Sequence, residues 1–285
     1  MNPHLLNLKV SVITVCLNSA EYLERAICSV LSQTYKNIEH VIIDGGSTDN
    51  TLNIIRKYEN CISYWVSESD SGIYDAMNKG IKQATGDIIY LLNSDDRFYD
   101  AKVIERVVDS FNRNRVDFIY GDILSEYIEK PGFSLGKYPS FITRLYLTRR
   151  TIAHQATFIY RRCFKEVGYF DTRYKILSDY EWLLRALYKN RLRYKHIKQI
   201  ISVFQCGGIS TNKDNRTQIM LEEESIQRIY FTPFELHIAK WLNFFIYADF
   251  LRVIARIILR KKGYQLLVGY KNKLFNEFSP SNEES

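Results

Sequence analysis

The 285 residues carry 46% hydrophobic and 25% charged side chains, which excludes a disordered chain and leaves room for one catalytic-sized domain with an appendage. The formal net charge of +7 is local, because residues 240–273 hold eight basic side chains against the single acid Asp249 and the remainder is neutral. A neutral main domain argues against nucleic-acid binding, and a basic end suits an anionic surface. The five cysteines, Cys16, Cys28, Cys61, Cys163 and Cys206, form no CxxC pair, so a reducing compartment fits better than a disulfide framework.

The first fifteen residues lack a basic start and a small-residue cleavage site and read as the approach to a strand, so a cytoplasmic location is expected. Residues 9–17 (KVSVITVCL) are β-branched and apolar, the pattern of a strand covered on both faces. A helix follows, with Asn18 or Ser19 as cap and Leu23, Ile27, Val30 and Leu31 at helical spacing. Next come a strand at IEHVIID, a helix over about 49–58, a strand at CISYWVSE, a helix at IYDAMNKGIKQA and a strand at DIIYLLN. This alternation predicts βαβ units and a mainly parallel central sheet flanked by helices.

Beyond residue 100 the reading is a helix over 101–113, a strand at VDFIYGD, then a loose stretch to about 150, long enough to suggest a functional loop. HQATFIYRRCFKEVGYFD gives a strand and a short helix, LSDYEWLLRALYKN a helix, and YKHIKQIISVFQ one or two strands. The catalytic domain is expected to occupy residues 1–230, and 231–285 a helical tail. Within it, residues 238–262 place Arg252, Arg256 and Arg260 opposite Leu251, Ile254 and Ile258, and the longest apolar run is too short to span a bilayer. Such a basic, Trp-containing amphipathic helix lies in a membrane interface or packs on the main domain or a second copy of the chain.

Ligands of open parallel sheets bind beyond the carboxyl ends of the strands. Acids stand at three such ends: Asp44 after HVII, Glu68 and Asp70 after YWVS, and Asp95 with Asp96 after IIYLLN. Asp95 and Asp96 suit a hard cation on a diphosphate, since Mg²⁺ is usually held by one or two carboxylates plus substrate phosphates; the alternative is a turn that caps the next helix. Asp44 precedes two glycines in a strand-to-helix turn that lets a nucleotide approach the backbone, or merely closes that turn. Asp179 in LSDYEWLL is either a general base or a helix-start carboxylate. His154 stands alone before an apolar strand and reads as structural.

Together VSVITVCLNSAEYLERAICSVLSQTY, HVIIDGGSTDNT, SDSGIYDAMNKGIKQATGDIIYLLNSDD and LSDYEWLLRAL resemble glycosyltransferase family 2, the inverting transferases of the GT-A fold, over about residues 9–205. The resemblance implies an α/β GT-A domain that moves a sugar from a nucleotide-diphospho-sugar, a UDP-sugar, to a hydroxyl of a glycan acceptor. By the same resemblance Thr14, Val15, Asn18, Asp44, Asn93 and Ser94 border the nucleotide, and Asp95 binds a divalent cation, Mg²⁺ or Mn²⁺. Asp96 then supports the cation or touches the donor sugar, and Asp179 is the base with Glu181 as fallback; apart from the resemblance, Lys79 and the Arg149 and Arg150 of the loop over about 125–153 are candidates for the donor diphosphate, since Arg suits phosphate oxygens. Two departures stand out: the family's DDGS is DGGS here, and the first acid of its DADD is Asn93. The tail suggests a lipid-linked acceptor at the inner face of a cytoplasmic membrane, as in O-antigen, capsule or exopolysaccharide assembly. Rival readings are a sugar-nucleotide nucleotidyltransferase, which needs a basic Gly-rich phosphate loop that TVCLNSAEYL lacks, and an inactive binding protein on the same scaffold.

Overall fold

The computed structural model describes residues 6–127, 132–208 and 212–247. Strand β1 (Val10–Cys16) is buried throughout and leads into helix α1 (Leu23–Leu31), whose Leu23, Ala26, Ile27 and Val30 face inward. Tyr22 rather than Asn18 or Ser19 caps α1, without a side-chain bond. The chain continues through β2 (Ile38–Asp44), α2 (Thr51–Lys57), β3 (Tyr64–Ser67), α3 (Ile73–Gln83) and β4 (Ile88–Asn93). These strands pair in parallel in the order β3-β2-β1-β4, with Thr14 level with Ile42 and Leu92. The carboxyl ends of β1, β2 and β4 thus emerge side by side.

Next come the short β5 (Arg97–Phe98), α4 (Val103–Arg113), β6 (Phe118–Tyr127), β7 (Gly132–Gly136), α5 (Arg144–Leu147), β8 (Thr157–Tyr160), α6 (Arg161–Val167) and α7 (Ser178–Leu184). A π turn over Arg185–Lys189 extends α7, and β9 (Tyr194–Cys206), α8 (Arg216–Tyr230) and α9 (Pro233–Tyr247) complete the described chain. Strand β8 pairs antiparallel with β4 and β6, β9 lies parallel to β6, and β5 and β7 pair antiparallel with β9 and β6. The sheet is therefore mixed: its first half has the parallel arrangement expected, and the insertion of β8 between β4 and β6 reverses direction in the middle.

One side of the sheet is covered by α4, whose Val103, Ile104, Val107, Val108 and Phe111 pack with Val10, Val12, Ile88, Tyr90, Leu92 and Phe158. Each such side chain contributes roughly 1.5–3 kcal/mol of transfer free energy. Tyr90 stacks between Phe98 at 4.8 Å and Phe158 at 4.2 Å. This stack locks β4, β5 and β8 together beside the ends that matter. A second cluster, Leu23, Ile27, Ile42, Ile54 and Ile55, seats α1 and α2.

The chain divides into two compact units, residues 1–142 with 150–226 and residues 143–149 with 227–285. All nine strands belong to the first unit. Within the second, Arg144 on α5 pairs with Glu235 on α9, donates to the Tyr230 carbonyl at 2.7 Å and lies over the Phe231 ring at 5.2 Å. Residues 248–285, which carry most of the basic stretch expected to form the helix over 238–262, lie outside the described residues. No helix of the described residues is long and apolar enough to cross a membrane.

Candidate active site

Three loops that leave the strand ends are stitched to one another by side chains. Asn18, at a positive φ of 48°, accepts the Thr48 N–H on Oδ1 at 2.9 Å and donates its own N–H to the Ser47 hydroxyl at 2.7 Å. The Ser94 hydroxyl donates to that of Ser19 at 2.8 Å, and the Ser19 N–H donates to the Thr51 hydroxyl. Asn18 and Ser94 therefore hold the loops after β1, β2 and β4 at fixed spacing. Thr14 is fully buried and spends its hydroxyl on His40 Nε2 at 3.0 Å, and Val15 is buried beside it.

Asp44 closes the turn after β2. It is fully buried, and its carboxylate accepts the N–H groups of Gly46 and Ser47 and the hydroxyls of Ser47 and Ser67. Burial opposes its charge, but these donors prevail and hold its pKa below the ordinary carboxylate value. Gly46 sits at φ 91°, where a side chain would be strained, and a Cβ on Gly45 would fall 2.5 Å from Asp70 Oδ2. The two glycines thus let the loop carrying Asp70 pass close over the turn.

The end of β4 differs from that of β2 because one of its carboxylate oxygens is buried without a partner. Asp96 is 1% exposed; its Oδ1 accepts the Gln205 N–H at 3.0 Å and its Oδ2 is buried without a hydrogen-bond partner. Burial, and after it the neighbouring Asp95 charge, pushes the Asp96 pKa well above the ordinary value; burial also raises that of Asp95. Among the described residues no three His, Cys, Asp or Glu side chains converge as a metal cage. Two carboxylates, one with an orphaned buried oxygen, nevertheless fit a hard cation whose other positions are taken by phosphate oxygens and water. Such a cation would also offset the burial that raises both pKa values and the Asp95 charge that adds to it at Asp96.

Asp179 lies in the first turn of α7, and the fold brings it to the β4 end through His154. The His154 ring places Nδ1 3.1 Å from Asp179 Oδ2 and Nε2 3.3 Å from Asn93 Oδ1. The Tyr74 hydroxyl on α3 lies 2.9 Å from Asp179 Oδ1 and 2.6 Å from the Ile176 carbonyl. Glu222 on α8 accepts the consecutive N–H groups of Lys175, Ile176 and Leu177 at 2.7, 3.0 and 2.9 Å, fixing the segment that enters α7. Glu181, the fallback base, is instead spent on an ion pair with Arg185 at 2.8 Å.

Lys79 on α3 pairs with Glu68 at 2.9 Å, a bond that raises its pKa, and donates to the Ser69 carbonyl. Arg150 is exposed in the first unit, while Arg149 is half-buried in the second. His154, Tyr74 and Glu222 were not singled out as site residues by the sequence. Only for His154 was a signal present, its position ahead of an apolar strand; the antiparallel pairing of Tyr90 with Phe158 then carries it to the Asn93 end of β4.

With this geometry in place, the chain matches the model of glycosyl transferase family 2 over residues 11–168. It is 34% identical over 208 residues to a PGL/p-HBAD biosynthesis glycosyltransferase of Mycobacterium bovis (strain BCG / Pasteur 1173P2), covering 70% of this chain and 78% of that protein. Among solved structures, S. aureus TarS superposes with a TM-score of 0.60 at 17% identity, over 95% of this chain and 54% of that one. Its 1–349 fragment has been solved with UDP-GlcNAc and matches with a TM-score of 0.59 over 96% of this chain and 74% of that one, at 17% identity. A mannosyltransferase of Pyrobaculum calidifontis, solved with GDP-Man and Mn²⁺, matches with a TM-score of 0.55 at 16% identity, over 95% of this chain and 86% of that one. Both solved folds are GT-A glycosyltransferases, so the sheet and flanking helices described above are those of that fold.

Proposed function

The chain belongs to glycosyl transferase family 2 and is a glycosyltransferase, and from that premise we propose that it is an inverting, cation-dependent enzyme transferring a hexose from a UDP-sugar to a glycan hydroxyl. One observation carries the reading: a single histidine joins Asn93 at the end of β4, directly before the turn bearing Asp95 and Asp96, to the carboxylate of Asp179. A donor diphosphate seated at the β4 end would therefore present its sugar toward a fixed carboxylate. The UDP-GlcNAc complex of the TarS fragment supports the nucleotide class.

Asp95, with Asp96 behind it, would hold the Mg²⁺ or Mn²⁺, which when bound supplies Lewis-acid stabilisation to the leaving diphosphate. Asp44 and Asn18 serve the nucleotide through the turns they close, with Val15, Asn93 and Ser94 along the same rim, and Lys79, Arg149 and Arg150 are the basic candidates for the diphosphate. Asp179 takes the proton of the acceptor hydroxyl as its oxygen bonds to the anomeric carbon and the bond to the diphosphate breaks, inverting the centre. Such general-base assistance typically contributes ~10²–10⁴-fold.

The acceptor is proposed to be a lipid-linked glycan at the inner face of the membrane, within surface glycan assembly. Phe234 and Trp241 of α9, 72% and 52% exposed, support that placement, as does the basic sequence of residues 240–273. On this proposal residues 1–230 form the catalytic part, and the tail meets the bilayer or a second copy of the chain.

The test is a panel of UDP- and GDP-sugars assayed for transfer or hydrolysis with Mn²⁺ or Mg²⁺. Turnover of at least one, lost in Asp95→Ala, is expected; turnover that survives Asp95→Ala unchanged removes the carboxylate pair from the reaction. Nucleotidyl transfer would appear instead as pyrophosphate release from a nucleoside triphosphate.

A further inference from the structure

We infer that His154 is a positioning residue for this reaction: it fixes the orientation of the Asp179 carboxylate through Nδ1 and ties that carboxylate to the end of β4 through Nε2. The inference rests on the reading of Asp179 as base.

The ring is held from both sides. It lies in the turn His154–Ala156 that precedes β8, and the next carbonyl, that of Gln155, accepts two buried hydroxyls, Tyr90 on β4 and Ser202 on β9, each at 2.8 Å. The His154 side chain is 12% exposed and that of Asp179 is 15% exposed, so neither reorients in bulk water.

Hydrogen-bond accounting then identifies the reacting oxygen. An ionised carboxylate offers about four lone-pair positions, two on each oxygen. Oδ1 of Asp179 accepts the Tyr180 N–H at 2.9 Å and lies 2.9 Å from the Tyr74 hydroxyl, whose single proton it shares with the Ile176 carbonyl. Oδ2 receives Nδ1 of His154 and keeps one position open. The acceptor proton is thus delivered to Oδ2, and the histidine sets the direction in which that open position points. In the neutral tautomer that donates Nδ1–H to Oδ2, Nε2 is the acceptor, so the Asn93 amide turns its NH₂ group toward it, and His154 itself passes no proton. The Asn93 contact at Nε2 makes the direction follow the loop that bears Asp95.

Two measurements on the full chain test this. In proton–nitrogen spectra of histidine-labelled protein, the signal lost in His154→Asn should be an Nδ1-protonated ring, and Asp179→Ala should shift it. A ring with a bare Nδ1, or one indifferent to Asp179→Ala, overturns the inference without any substrate. In turnover of the nucleotide sugar selected by the panel, His154→Ala should lower kcat by roughly 10–10²-fold with the donor KM within about twofold, the scale of a misplaced reacting group. Asn places an amide N–H near the Nδ1 position and Gln near Nε2, so His154→Asn should recover most of the lost kcat and His154→Gln little. Equal rescue by Gln, or a loss confined to KM, contradicts the role assigned to Nδ1. Asp179→Asn separates the two claims: if it retains transfer the base reading fails, whereas if it abolishes transfer and His154→Ala keeps full kcat only the histidine's role fails.

Discussion

Glu222 is a heavily used buried carboxylate that local sequence pattern did not reveal, and its removal gives a worked prediction. It is 5% exposed, and besides the three backbone N–H groups of residues 175–177 it accepts the Gln218 amide at 2.7 Å. Three charge-assisted bonds at roughly 1.5–3 kcal/mol each set an upper range near 5–9 kcal/mol. Against this stand the desolvation cost of the buried charge and the water that reaches the part-buried donors of Lys175 and Leu177, leaving the buried Ile176 N–H as the donor that stays stranded. Glu222→Ala should therefore destabilise by about 3–4 kcal/mol, and Glu222→Gln, which keeps one accepting oxygen, by about 1–2 kcal/mol. Urea unfolding followed by tryptophan fluorescence reads this as a fall in midpoint at unchanged slope. A Glu222→Ala protein within about 0.5 kcal/mol of the parent, the range of an ordinary surface change, would refute the idea that α8 clamps the entry to α7.

Further outcomes follow from other buried groups. His40 is fully enclosed in β2, and burial lowers its pKa to about 4 from the ordinary 6.5. The unfolded chain binds this proton near pH 6.5 and the folded one only near 4, so stability is full above 6.5 and is lost as pH falls across that window, by about 3 kcal/mol. Unfolding midpoints at pH 7 and 4.5 should differ less in His40→Gln; an unchanged difference would acquit His40. A Cβ on Gly80 in α3 would lie 2.3 Å from Ile13 Cγ2, so Gly80→Ala should cost about 1–3 kcal/mol of overpacking against about 1 of helix propensity. A stabilised Gly80→Ala protein would mean that α3 does not press on β1 as described. Mn²⁺ should raise the melting temperature of the parent and not of Asp95→Ala, because a cation bound only by the folded state stabilises it by mass action; equal shifts in both would place the ion elsewhere.

The first hundred residues were legible because each βα unit announces itself locally. Strands such as Val10–Cys16 and Ile38–Asp44 are buried on both faces and read as strands through their β-branched residues, although Ser11, Thr14, Glu39 and His40 interrupt the apolar run. The turn acids were legible because a carboxylate that ends such a strand needs donors or a counter-ion, whether it stays buried, as Asp44 and Asp96 do, or not. Partner choice beyond residue 100 was not legible. Strand β5 has two residues and is defined only by its pairing with Ser202 and Val203, and β7 is a five-residue strand with exposed Phe133 and Leu135 that exists by leaning on β6. The same holds for the site. Asp95 and Asp179 were found from their positions at an element boundary, whereas Tyr74 reaches Asp179 across 105 residues and His154 reaches Asn93 across 61. Periodicity carries no record of such contacts. Asp44 shows the opposite limit: the turn-closing and ligand-reading roles look alike in sequence, and only the donors around its carboxylate reveal how thoroughly it is committed to the turn.

The measurement that bears most directly on the whole account is the anomeric configuration of the first product formed from a nucleotide sugar of known configuration, followed by proton NMR in the parent and in Asp179→Asn. A base that deprotonates the acceptor in a single displacement predicts an inverted linkage in the parent and a rate at least ~10²-fold lower in Asp179→Asn. A retained configuration, or an Asp179→Asn enzyme that works at the parental rate, would contradict it.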